Sequence, residues 1–297
     1  ERWQMQNEED GRNFSSYRGP DMAISLTHNG VNANNIKLIE RQCGQWKPYT
    51  GVSPDNFPVS ATAVTGMEFT KDNQHLLAYK NGTCYLYPIG KGVVGSASLS
   101  TSVTALTCPV YAAGNLMGLS ANGHLAMTQS AAPYIKFWNQ SGQQFLAVND
   151  TAPAITLSAS LPSAPTRFVM SSKGSLFLVS GATYTRLYAR TAPNYYTLIG
   201  TPTGAPNNAG ALAISEDENW IAVSTNASTT VRVYSFNKMY NTIGSAQLPA
   251  GVMSAITTMA FSPDSRYLAV AGGAVNSALA ISSNISIFKR DGTTFTT

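Results

Sequence analysis

Met259-Ala260-Phe261-Ser262-Pro263-Asp264-Ser265-Arg266-Tyr267-Leu268-Ala269-Val270 reads as two short strands joined by a tight polar turn. Pro263 presets one turn dihedral, and Asp264 and Ser265 bond their own backbone, so the chain reverses between Phe261 and Tyr267. The phrase recurs upstream. Apolar residues followed by Ser or Thr stand at Phe14-Ser15, Phe69-Thr70, Leu119-Ser120, Met170-Ser171, Ile214-Ser215 and Phe261-Ser262, at steps of 55, 50, 51, 44 and 47 residues. Turn residues follow: Lys71-Asp72-Asn73, Ala121-Asn122-Gly123, Ser172-Lys173-Gly174 and Glu216-Asp217-Glu218.

Working outward from each turn, an apolar run comes next: Met22-Ala23-Ile24, Leu76-Leu77-Ala78, Leu125-Ala126-Met127, Leu176-Phe177-Leu178, Ile221-Ala222-Val223 and Leu268-Ala269-Val270. Unbroken apolar runs with small residues suit a strand squeezed between neighbouring sheets. A third, alternating strand ends in an aromatic or branched residue at Ile39, Tyr87, Trp138, Tyr188, Tyr234 and Phe288. A fourth carries Trp46, Phe145, Tyr196 and Phe295. The fourth strand of the second repeat, around Val93-Val94, is the faintest. Each repeat is thus a four-stranded antiparallel meander of propeller-blade length. The expected fold is all-β: a six-bladed β-propeller of four-stranded antiparallel blades over residues 14–297, preceded by an extended N-terminal arm, 1–13. A seventh blade would need flanking chain. The first residues, Glu1-Arg2-Trp3-Gln4, lack an initiator Met, which reads residue 1 as a processing site or a fragment edge.

The strand–turn–strand phrase at Phe261–Val270 resembles the repeats of WD-type β-propellers. Ile285-Ser286-Ile287-Phe288-Lys289-Arg290-Asp291-Gly292-Thr293-Thr294-Phe295 is similar to repeats in propeller proteins of tailed bacteriophages and bacteria. The Trp-Asp dipeptide is absent: the strand-ending aromatic is followed by Lys289, Ser235, Ala189, Asn139 or Pro88. The Gly-His pair of WD repeats is missing too. The resemblance therefore implies a divergent viral or bacterial propeller.

Composition narrows the function. Only 11% of the 297 residues are charged, against about 25% in an average soluble domain. The net charge of +4 comes from 19 basic and 15 acidic residues scattered along the chain. Without clustered Lys and Arg, nucleic acid is not an expected partner. No apolar run nears the ~20 residues of a membrane helix, so no membrane insertion is expected. Cys43, Cys84 and Cys108 are too few and too widely spaced for a disulfide framework. Catalytic signals are sparse. His75 and His124 share a repeat position with Trp220 and Tyr267, which marks packing or rim sites, and His28 lies in a loop. Gly118-Leu119-Ser120-Ala121-Asn122 begins like a nucleophile elbow but ends in Asn on a hairpin. Gly90-Lys91-Gly92 lacks phosphate-loop spacing. Glu216-Asp217-Glu218 reads as a solvated hairpin tip. No enzyme, metal or cofactor is expected.

In such a meander the first-to-second and third-to-fourth turns share one face of the wheel. The long connections within and between blades share the other. They run 27–35, 128–133, 224–230 and 272–284 within blades, and 50–61, 149–166, 201–210 and 246–255 between them. They are neutral, rich in hydroxyls and dotted with Tyr. Loops on a rigid scaffold commonly carry binding. The candidate binding residues on this face are Asn32, Tyr134, Tyr184, Asn226 and Asn276. The expected role is structural or adhesive, in a tailed-phage virion as a tail, tail-tip or decoration component. Its partners would be other virion or surface proteins, a further copy of the chain, or a neutral glycan. The alternatives are a secreted or surface bacterial propeller binding glycan or protein, and a lactonase- or glycosidase-like enzyme.

Overall fold

The computed structural model describes residues 4–7, 13–18, 21–25, 36–42, 45–48, 64–69, 75–80, 83–88, 116–128, 132, 134–141, 144–147, 156–192, 195–225, 230–247, 256–273 and 283–296. Among them there is no helix, and they fall into six sheets. The first holds β1 (Gln4–Asn7), β2 (Asn13–Arg18), β3 (Asp21–Ser25), β4 (Ile36–Gln42) and β5 (Gln45–Pro48) in that order. The second holds β6 (Val64–Phe69), β7 (His75–Lys80) and β8 (Thr83–Pro88). The third holds β9 (Met117–Leu119), β10 (His124–Thr128), β11 (Ile135–Ser141) and β12 (Gln144–Ala147).

In the fourth sheet, β13 (Thr156–Leu157) lies parallel to the outer strand of a meander built from β14 (Pro165–Met170), β15 (Leu176–Gly181), β16 (Tyr184–Ala192) and β17 (Tyr195–Gly200). The fifth holds β18 (Leu212–Ile214), β19 (Trp220–Ser224), β20 (Val231–Asn237) and β21 (Thr242–Gln247). The sixth holds β22 (Ile256–Phe261), β23 (Tyr267–Gly273), β24 (Ser283–Asp291) and β25 (Thr294–Thr296). Every meander is antiparallel. Three strands of the second sheet are described, and the Val93-Val94 region expected to carry a fourth lies outside the described residues.

The recurring Ser explains the recurring turn. Ser171, Ser215 and Ser262 each accept, on their own carbonyl, the N–H of the residue three further on, at 2.8–2.9 Å. Their hydroxyls accept a second N–H from the first residue of the returning strand: Leu176 at 3.0 Å, Trp220 at 3.0 Å and Tyr267 at 2.8 Å. Ser120 does the same for His124 across a turn one residue shorter. These four serines are buried, so their hydroxyls need such partners. The residue three after each Ser takes a positive φ: 79° at Gly123, 69° at Gly174, 59° at Glu218 and 58° at Ser265. Glycine fits there without cost, and Glu218 and Ser265 are held there by their contacts.

Successive sheets pack face to face, and the middle strands β15 and β19 are buried on both sides. In β15, Phe177 and Val179 join residues of the third sheet, while Leu176 and Leu178 join Ile221 and Val223 of the fifth. In β19, Ile221 and Val223 face back to the fourth sheet, while Trp220 and Ala222 face Phe261 and Val270 of the sixth. Period-two side-chain alternation directs one residue set to each seam. That is why these strands read as unbroken apolar runs.

The innermost strands meet in sequence: β2 with β6, β6 with β9, β9 with β14, β14 with β18, and β18 with β22. Two elements depart from the simple repeat. Within the 1–13 segment read as an arm, β1 pairs antiparallel with β2 from Gln4 opposite Ser16 to Asn7 opposite Asn13, and it lies against β22. Within the 149–166 linker, β13 adds to the outer edge of the fourth sheet.

Candidate functional site at the turn rim and hub

The first-to-second turns of sheets three to six are bonded to one another. Ala121 N–H donates to the Ser172 carbonyl at 2.5 Å, and the Asn122 side-chain amide donates to the Lys173 carbonyl at 2.9 Å. Ser172 and Ser175 donate their hydroxyls to Glu216 and Glu218 of the next turn. Asp217 N–H donates to the Ser265 hydroxyl at 3.0 Å. The partners are separated by 43 to 51 residues in the chain, about one repeat.

Residues on or just past the third strands reinforce this rim. Arg290 reaches Asp217 at 3.4 Å, and its guanidinium lies 5.7 Å from the Trp220 ring centroid. Lys238 pairs with Glu218 at 3.0 Å and donates to the Asp217 carbonyl at 2.5 Å. Arg190 donates to His124 Nε2 at 2.5 Å, while His124 Nδ1 lies 2.6 Å from Asn139 Oδ1. Arginine has only donors, so Nε2 must be the acceptor and Nδ1 carries the proton. Much of the described charge therefore collects on the turn face rather than scattering.

Glu216-Asp217-Glu218 is accordingly not a solvated tip. The Glu218 side chain is 3% exposed. Burial alone would raise its carboxyl, but the Ser171 and Ser175 hydroxyls and the Lys238 ammonium outweigh burial and hold it below the ordinary value. Asp217 is also held low: bonds from Ser215 and Asn219 and the charge of Arg290 overcome its burial. Carboxyls depressed in the folded state stabilise it above their unfolded pKa, and that stability is lost as pH falls through the folded value. Unfolding is therefore expected to become easier below about pH 4.5, the ordinary glutamate value. Glu218→Gln should lose about 1–2 kcal/mol at neutral pH and flatten the acid limb. Urea titrations from pH 7 to pH 3 test this, and an unchanged acid limb would exclude Glu218 as its source.

Beside this rim, residues of β14, β18 and β22 line a half-open cleft of about 90 Å³. Arg167 stands in its wall, with Ser172 and Glu216 at the turn end and Ile214, Met259 and Phe261 among the apolar lining. Arg167 is already committed: Nε donates to the Gly210 carbonyl at 2.7 Å and Nη1 to the Thr166 carbonyl at 2.8 Å. A general acid needs a raised carboxyl pKa. The Asp217, Glu218 and Asp264 carboxyls move the other way. Among the described residues, no group of three His, Cys, Asp or Glu side chains is arranged to hold a metal ion.

The opposite face carries the connections. Asn32, Asn226 and Asn276 lie outside the described residues. Tyr134 sits just before β11 with φ 66° and packs, partly buried, on the seam between sheets three and four. Tyr184 opens β16 rather than lying on a loop. It is 5% exposed, and its hydroxyl donates to the Ser163 carbonyl at 2.8 Å. Its phenol pKa is raised by burial.

The third-strand aromatics do work the sequence did not reveal. Tyr188 OH donates to the Ala159 carbonyl at 2.9 Å, and Tyr234 OH donates to the Thr203 carbonyl at 3.2 Å. Arg186 adds a bond to the Ser160 carbonyl at 2.8 Å. The described inter-sheet loops are thus fastened to the third strand of the sheet they enter. The available signal was a hydroxylated aromatic two residues after Arg, in Arg186-Leu187-Tyr188 and Arg232-Val233-Tyr234.

Comparison with known proteins agrees with this architecture. Residues 250–276, which contain the repeat phrase quoted first, match the family described as WD domain, G-beta repeat. The chain is similar to a functionally unknown protein from Desulfotomaculum acetoxidans, with a TM-score of 0.58 and 15% identity over 96% of this chain and 98% of that one. It is similar to a chain in the mitotic checkpoint complex, with a TM-score of 0.57 and 12% identity over 91% and 73% of the two chains. It is also similar to the Dos1 propeller, with a TM-score of 0.51 and 11% identity over 85% and 63%. The chain has a propeller-like fold, similar to that of WD-repeat proteins. Comparison with curated proteins finds no match. Identities this low make the propeller a statement about fold, and fold alone does not assign activity.

Proposed function

We propose that the propeller is a non-catalytic scaffold of six blades that works by protein–protein or host-surface contact in a tailed-phage virion. It would sit there as a tail, tail-tip or decoration component. The observation that carries the scaffold reading is the fastening of the connection face. Tyr188, Tyr234 and Arg186 pin the described inter-sheet loops to strands. A surface ordered before binding loses less entropy when a partner arrives. Low charge and hydroxyl-rich loops support packing against protein or neutral glycan. The setting in a phage rests on the resemblance of the last repeat.

Antiserum against the purified chain, applied as gold label to tailed particles from the source, tests the setting. Label at the tail or on the capsid surface, with peptides of the chain in purified particles, is the expected result. Their absence, together with binding on a glycan array, would favour a secreted propeller instead.

A further inference from the structure

The third strands carry a second repeat besides their aromatic or branched residue. Two positions before Ile39, Trp138, Tyr188 and Tyr234 stand Lys37, Lys136, Arg186 and Arg232. The ladders place the four alike: Lys37 opposite Ile24, Lys136 opposite Met127, Arg186 opposite Val179 and Arg232 opposite Val223. Each lies near the start of its strand, at the end that comes in from the connection face. Packed sheets lie about 10 Å apart. The connection face therefore presents one cation per sheet across the third, fourth and fifth sheets.

No acid answers these cations on their own face. Among the described residues of sheets three to six the carboxylates are Glu216, Asp217, Glu218, Asp264 and Asp291, all in turns of the opposite face. The connections 128–133, 201–210 and 224–230 contain neither Asp nor Glu. Arg186 is partly used, donating to the Ser160 carbonyl at 2.8 Å with its guanidinium 5.7 Å from the Tyr184 ring centroid. Arg232, one sheet on, is not. Its Nε is buried without a hydrogen-bond partner among the described residues. Its Nη1 flanks the 201–210 linker, where a Cβ added to Gly204 would stand 3.4 Å away. A buried charged donor left unpaired is costly, and an anion that reaches it removes the cost. The planar guanidinium fork fits a carboxylate. A protein partner would want exposed aromatic or apolar anchors. In sheets three to five the exposed large hydrophobics are Tyr195, Met239 and Tyr240, all beside turns of the opposite face. The linker that Arg232 touches exposes Thr201, Thr203 and Asn207 instead, the hydroxyls and amides that suit a sugar.

We propose that the connection face of sheets three to five binds an acidic polysaccharide, with Lys136 and Arg232 pairing its carboxylates and Arg186 holding the Ser160 linker beside them. The proposal rests on the reading of this face as the contact face, and it replaces a neutral glycan with a carboxylate-bearing one.

Isothermal titration of the full chain with a galacturonic acid oligomer tests this, with an uncharged dextran oligomer and a single-stranded DNA oligonucleotide as comparisons. Saturable binding of the acidic oligomer, weakened by salt, is the expected result. Arg232→Gln and, independently, Lys136→Gln should each weaken it by about tenfold. Lys289→Gln, which removes an exposed cation at the turn end of β24, should leave it unchanged. No binding of the acidic oligomer, equal weakening by Lys289→Gln, or tighter binding of the DNA would overturn the proposal. Dextran bound as tightly as the acidic oligomer would overturn it too, yet would leave the contact-face reading standing. The titration uses the purified chain alone, so absence of the chain from tailed particles would remove the virion setting without touching this result.

Discussion

Phe177→Ala is expected to destabilise the propeller by about 3–5 kcal/mol. Phe177 is fully buried at the centre of an aromatic cluster drawn from two sheets. Its ring stacks on Tyr188 with centroids 4.7 Å apart and meets Tyr196 at 5.0 Å, Phe168 at 5.7 Å and Phe137 at 6.0 Å. Phe137 belongs to the third sheet and the others to the fourth, so truncation opens a cavity within a seam. The neighbours cannot collapse into it freely, because Tyr188 and Tyr196 are tied through their hydroxyls to Ala159 and Gly174. Burial holds the Tyr196 hydroxyl protonated, its pKa raised to about 12. Equilibrium urea unfolding measures the loss. A change below about 1 kcal/mol, the size of an ordinary surface substitution, would mean the seam is not packed as described.

The second large effect is expected at Gly210, just before β18. A Cβ there would stand 2.8 Å from the Ile256 carbonyl oxygen, 2.9 Å from that of Thr225 and 3.0 Å from the Ser224 hydroxyl. Two of these obstacles are backbone, so no rotamer change relieves them. Gly210 also accepts the Arg167 guanidinium through its carbonyl. It therefore joins Arg167 of the fourth sheet, Ser224 of the fifth and Ile256 of the sixth. Gly210→Val should cost about 3 kcal/mol, the upper end for overpacking, with Gly210→Ala smaller but still above about 1 kcal/mol. Thermal unfolding of both variants tests the order. A neutral valine would show that the three sheets do not converge there.

The repeat was legible because one residue type does one local job. Ser171, Ser215 and Ser262 serve bonds within their own turn, and such chemistry is printed in consecutive residues. The double-sided burial of β15 and β19 was legible for the same reason. The bonds between turns were not. Ser175 and Glu218, or Arg290 and Asp217, lie 43 and 73 residues apart, and only the stacking of repeats brings them together. Glu216-Asp217-Glu218 looked solvated because three adjacent acids ordinarily are. Tyr184 looked like a loop residue because Gly181 and the turn beside it hide the start of β16. The strand β1 was invisible: Gln4-Met5-Gln6-Asn7 has one apolar residue and weak β propensity, and its pairing with β2 supplies what the side chains do not. In the candidate site, the rim residues His124, Glu216 and Asp217 stood out in the sequence, but their partners did not.

A crystal structure of the full chain tests the propeller most directly. Six antiparallel sheets should follow one another around a hub in chain order, with the turns at Ser120, Ser171, Ser215 and Ser262 bonded each to the next on one rim. Two separate lobes, a helix inside any repeat, or sheets that share no common hub would contradict it.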